Sequence, residues 1–119
     1  MNASPQIVTV PVGAQGGTVN RPLFRAPVGF GGITLTGVFI RGGGAATSVM
    51  QLCNMGTALG TTIVSVVGTL NGTLAANVTQ PFSVTTAYQA EGTWLGLGTG
   101  AGGSLDAATE LVVEFVYGK

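Results

Sequence analysis

Side chains able to do acid–base, nucleophilic or metal chemistry are scarce in this chain, and their types narrow the chemistry further. There is no histidine among the 119 residues. Ser-His-Asp and Cys-His nucleophilic systems are therefore excluded, because both need an imidazole base. Cys53 is the single cysteine. It cannot form a disulfide within the chain, has no second thiol or imidazole with which to hold zinc, and sits in an apolar stretch that predicts a buried, inert thiol. The acids are Glu91, Asp106, Glu110 and Glu114. Glu110 and Glu114 are close enough in sequence to suggest a paired-carboxylate glycosidase, but no aromatic groove accompanies them. No loop carries the spaced acidic and amide ligands of a calcium site.

Two glycine runs invite a phosphate-binding reading, Gly96-Leu97-Gly98-Thr99-Gly100 and Gly98-Thr99-Gly100-Ala101-Gly102-Gly103. A dinucleotide fingerprint needs a strand before it, a helix after it and an acid further on, and a P-loop needs its lysine. Those partners are missing, so 98–103 is expected to be a surface loop, like the glycines at 42–44. The aromatic residues are Phe24, Phe30, Phe39, Phe82, Tyr88, Trp94, Phe115 and Tyr117. Most are expected to fill the space between sheets, with Trp94 and Tyr88 the candidates for a carbohydrate platform. Thr34, Thr36, Thr85 and Thr86 could order water on a flat sheet, but β-propensity explains them better. The expectation is a protein that is not an enzyme and uses no cofactor or metal.

Composition points the same way. Charged residues make up 7% of the chain and its formal net charge is +0, whereas ordinary domains carry ~25% charged residues. Only Arg21, Arg25, Arg41 and Lys119 could meet phosphates, too few for a nucleic-acid footprint. No apolar run is long enough to span a membrane. Residues 1–12 lack a basic start followed by an apolar run, which predicts a chain kept in a cytosol-like compartment. In that setting the glycosylation patterns at Asn2, Asn71 and Asn77 read as chance matches. Mean hydropathy is +0.53. A surface so poor in charge is weakly protected against association, so it is expected to be covered by other protein copies.

Alternating patterns supply the elements. Strands are predicted over 6–12, 18–25, 33–41, 47–53, 61–70, 81–88, 93–97 and 111–117, separated by turn signals. Pro11 marks the first as an edge strand, and residues 1–12 read as either that strand or an arm reaching a neighbour. In 33–41, Ile33, Leu35 and Phe39 are expected on one face, with Gly37 marking a bulge. A short helix is expected at 105–111 and a helical turn within 70–78. The echo between 56–61 and 68–73 reads as two similar turns. These elements predict one all-β domain over 1–119, an antiparallel β-sandwich of about eight strands.

In 111–117, Leu111, Val113, Phe115 and Tyr117 should face the core. Val112, Glu114 and Val116 occupy the other face, which is apolar apart from one carboxylate. A strand apolar on both faces is normally covered on both. Val112, Glu114 and Val116 are therefore the candidate interface, with Arg21, Arg25 and Arg41 as the cations able to neutralise Glu114. The alternative is a Glu114 that simply points into water.

The pattern as a whole resembles the small jelly-roll capsid decoration (cement) proteins of tailed bacteriophages. The residues that carry the resemblance are Arg21-Pro22-Leu23-Phe24 with Ala26-Pro27, then Gly31-Gly32-Ile33-Thr34-Leu35-Thr36, Gly92-Thr93-Trp94, and Val112-Val113-Glu114-Phe115-Val116-Tyr117-Gly118. The resemblance implies a jelly roll, commonly a homotrimer, that docks on the major capsid protein at the virion surface after synthesis in the host cytoplasm. It carries no catalytic motif. The alternative from another class is a carbohydrate- or receptor-binding β-module of a virion or tail fibre.

Overall fold

A computed structural model describes residues 4–12, 20–42, 50–70, 72–99 and 108–119. Every regular element among them is a β-strand: β1 (Gln6–Pro11), β2 (Asn20–Arg25), β3 (Ile33–Gly42), β4 (Met50–Asn54), β5 (Ser65–Leu70), β6 (Thr79–Val84), β7 (Tyr88–Gln89), β8 (Trp94–Thr99) and β9 (Ala108–Tyr117). All the strand pairings are antiparallel.

The main pairs nest inside one another. β1 pairs with β9, β2 with β8, β3 with β6, and β4 with β5. Rolling such a nested ribbon adds the contacts β3–β9 and β4–β8. The result is two four-stranded layers, β1-β9-β3-β6 and β5-β4-β8-β2. That order is the double Greek key of a jelly roll. β5 and β6 pair as well, joining the layers along one side. The path of strands ends at β1 and β2, so these are the two edges. Both contain a proline, Pro11 and Pro22, a residue that edge strands tolerate; β6, where the two layers join, carries Pro81. The Arg21 guanidinium spans from one edge to the other, Nη1 donating to the carbonyl of Val12.

The core lies between the layers. Ile33, Leu35, Val38, Ile40, Leu111, Val113 and Phe115 come from one sheet, and Met50, Leu52, Val67, Leu95 and Leu97 from the other. Fully burying each large aliphatic side chain is worth about 1.5–3 kcal/mol. Phe24 packs on Phe115 with ring centroids 5.5 Å apart.

Several expectations need correction. The bulge at Gly37 is real, shifting the β3–β9 register between Leu35 and Gly37. Because side chains alternate strictly, one extra residue reverses the faces beyond it. Phe39 therefore leaves the face of Ile33 and Leu35 and lies outside, in register with Val112 and Pro81. Residues 108–111 belong to β9 rather than to a helix, residues 105–107 of that expected helix lying outside the described set. The segment 72–78 is not helical; it carries an isolated bridge from Ala76 to Gly42. The strand predicted at 81–88 is broken after Val84, and β7 pairs separately with the start of β3.

Gly98 and Gly42 lie in strands rather than loops, while 43–44 and 100–103 fall outside the described residues. The glycines of β8 serve close approach. A Cβ on Gly96 would run into the Arg21 carbonyl of β2 and come within 2.8 Å of Met55 Sδ.

Candidate functional site

The predicted interface residues fall into two groups. Val112, Glu114 and Val116 are half-buried on the outer face of β9, as the alternation requires, while Leu111, Val113 and Phe115 are buried inside. Arg41 shares that outer face, in register with Glu110 rather than Glu114. Glu114 lies between Ile7 of β1 and Gly37 of β3. Its Oε1 occupies the space above Gly37, 3.1 Å from where a Cβ would stand. Arg21 and Arg25 are on β2, in the opposite sheet. The structure thus collects four of the six predicted residues on one face and leaves two on the other layer.

This outer face of the first sheet is mixed, with an apolar row lying between the Glu110–Arg41 pair and Glu114. Thr9, Val112, Phe39 and Pro81 follow one another across that row in register. Ile7, one row away, is 66% exposed.

The other residues singled out for chemistry are placed as follows. Cys53 is buried. Its register partner on β8 is Gly96, and its Sγ and the Ile63 side chain both lie close to Gly98. Burial pushes its thiol up to about 11, so it stays protonated and unreactive at neutral pH. Among the described residues no three of Cys, Asp and Glu gather as a metal would require; Asp106 lies outside that set. Trp94 and Tyr88 are in opposite sheets and do not make one flat platform. The Tyr88 hydroxyl donates to Gly31 O at 3.0 Å, and Lys119 Nζ sits 5.1 Å from its ring centre. Thr34 and Thr85 spend their hydroxyls on the carbonyls of Gly118 and Val67.

Sequence reasoning missed the end of the sandwich that carries the β2–β3 connection, 26–32. There the exposed apolar residues Val28 and Phe30 stand beside Gly92 and Tyr117. Leu59 and Val64, also exposed, belong to the β4–β5 connection, which starts at the same end, where Met55 and Gly56 hydrogen-bond to Trp94, and runs back to Asn20 and Gly98. Hydropathy alone could have flagged Val28 and Phe30. Their exposure could not be read, because it depends on contacts to residues about sixty positions away.

No protein-family profile, curated protein or solved structure matches the chain.

Proposed function

We propose that the chain is a non-enzymatic structural protein of a virion, which decorates and stabilises a capsid by docking on the major capsid protein, as a homotrimer at the capsid surface. The observation that carries this reading is an apolar exterior on a jelly roll with very little charge. Ile7, Val28, Phe30, Leu59 and Val64 are large, apolar and exposed, on a chain with 7% charged residues. Exposed apolar side chains offer surface that association can cover, and a closed symmetric assembly is the common way to cover it.

The energetics suit a decoration protein. A half-exposed Val or Phe gains about 0.75–1.5 kcal/mol on full burial, half of the value for complete transfer. A few such residues give modest affinity for one copy. Three copies held together raise the effective concentration at a shell of repeating sites, so a trimer binds far more tightly than its subunit. Apolar docking also tolerates salt, which screens charge pairs but does not weaken burial.

The test is copy number in purified virions, measured by quantitative mass spectrometry against the major capsid protein. A decoration protein is present in a fixed ratio to the shell subunit, in hundreds of copies. A few copies per particle would contradict the proposal and favour a receptor- or glycan-binding module at a tail tip.

A further inference from the structure

The two edges of the fold are unequal. β2 is guarded. A bulge between Pro22 and Phe24 interrupts its register with β8, Pro22 has no amide to give, and Arg21 and Arg25 place charge along it. Bulges, prolines and charge are the features by which an edge strand resists pairing with another chain. β1 carries neither bulge nor charge, and its register with β9 runs unbroken from Gln6 to Pro11.

The groups that β1 leaves open follow from its hydrogen bonding. Val12 N donates to Thr109 O (3.0 Å). Antiparallel ladders alternate, so Val10, Val8 and Gln6 also turn their N–H and C=O groups toward β9. Ile7 and Thr9 turn theirs the other way, and no strand among the described residues pairs with β1 there. Positions 5 and 11 continue the outward set, and both are proline, without an N–H. The side chains are incompletely covered too. Val8 packs on the core yet, like Val10, stays half-buried, and Ile7 is exposed.

We propose that β1 pairs antiparallel with β1 of a second copy about a two-fold axis at Val8, joining the β1-β9-β3-β6 sheets of the two chains into one. Ile7 then lies opposite the second copy's Thr9, and Thr9 opposite its Ile7. The outward amides and carbonyls of both residues are satisfied in two reciprocal pairs. Pro5 falls opposite Pro11, where no donor is missed. Sliding the strands by two residues sets an Ile7 or Thr9 carbonyl against a proline and leaves it unpaired, and sliding by one reverses the faces. The occupant is a copy of this chain because the two prolines stand at equal distance on either side of Val8. A foreign strand running past either proline would leave its own carbonyl there unpaired, whereas a second β1 ends its ladder at the same two points. The segment has no charge, so like charges are not brought together. Val8 meets its own copy at a Cα separation of about 4.5 Å, which completes the burial that the edge leaves unfinished.

A two-fold contact cannot close a trimer, so this pairing goes beyond the threefold contact proposed above and joins one trimer to another. The experiment measures the mass of the full chain by sedimentation velocity over a dilution series. A short edge makes a small interface, so pairing depends on concentration. Thr9→Pro removes one outward amide from each strand and spares the ladder with β9, because an edge residue whose N–H faces outward tolerates proline. It should halve the mass and raise the dissociation constant at least ~10-fold, while circular dichroism still reports a folded β protein. Thr9→Val, which keeps the amide, should pair like the unaltered chain. Halved species of three chains fit the trimer; halved species of one chain contradict the trimer and leave the pairing standing.

Cysteine crosslinking fixes the register. Ile7→Cys mixed with Thr9→Cys should form a disulfide-linked pair, one copy of each, under oxidised glutathione, since residues opposed in this way have Cα atoms about 5.5 Å apart. Either variant alone should not, because like residues then sit diagonally, about 7–8 Å from one another and beyond a disulfide's reach. Cys53 is buried and does not interfere. A mixture that crosslinks no better than either variant alone, an unaltered mass for folded Thr9→Pro, or an unaltered chain that never pairs would each overturn the proposal. The cysteine pair leaves the backbone intact, so it decides the question even if Thr9→Pro fails to fold.

Discussion

Replacing Gly96 by alanine adds one methyl group where β2 and β8 lie closest. Pro22 and Gly96 are register partners, and the next pair is Arg21 with Leu97. The new Cβ would overlap the Arg21 carbonyl, lie 2.8 Å from the Arg21 carbonyl carbon and the same distance from Met55 Sδ. The thioether can swing aside, but the backbone of β2 can move only by breaking its ladder with β8. Overpacking a well-filled site costs typically ~1–3 kcal/mol, and a clash with backbone belongs at the top of that range. At roughly 3 kcal/mol, and with an unfolding entropy of about 2.1 cal/mol/K per residue, the melting temperature should fall by about 12 °C. The control is Gly60→Ala, where the added methyl would meet nothing within 4 Å and stability should stay within ~0.5 kcal/mol. Thermal unfolding by circular dichroism measures both. A Gly96→Ala protein melting within about 2 °C of the control would refute the close approach of β2 to β8, and with it the closure of the second sheet.

Leu52→Ala, which empties a fully buried site between the sheets, should cost about 2–5 kcal/mol in a denaturant titration. Cys53 should react with a thiol reagent at pH 8 only as fast as the protein opens, because its folded value near 11 keeps it protonated. Its folded value is raised above an unfolded value near ~8.5, so its contribution to stability is complete below about pH 8.5 and declines as pH rises toward 11. A Cys53→Ala variant should lose that part of the alkaline decline. Glu114→Ala should change the stability of the isolated chain by no more than ~0.5 kcal/mol. A loss of roughly 3–5 kcal/mol in melting or oligomer assembly would instead reveal a buried ion pair with a neighbouring subunit.

How far the sequence discloses the fold can be judged from particular elements. Alternation identified most strands, because a half-buried strand must alternate, and Pro11 marked an edge because it has no amide to give a neighbour. Strand order was not legible. The pairing of β1 with β9 joins residues about a hundred positions apart, and nothing local encodes it. Phe39 shows how one recognised feature can still mislead: the bulge at Gly37 was legible, yet its consequence, the reversal of every face beyond it, was needed to place Phe39 outside. Gly98 looks like a loop residue from composition, while Gly96 falls within the strand predicted over 93–97. Why each must be glycine follows only from the backbone of β2 and the side chains of Asn20 and Ile63 packed against them. The hold of the Glu91 carboxylate on the Gly29 and Gly31 amides was hidden for the same reason, since those donors precede it by about sixty residues.

The most direct measurement of the central claim is an electron cryo-microscopy reconstruction of the intact virion. The account predicts one jelly-roll density at each equivalent site of the shell, grouped around the local threefold positions. A shell bare of that density, or a jelly roll confined to the tail or its fibres, would contradict it.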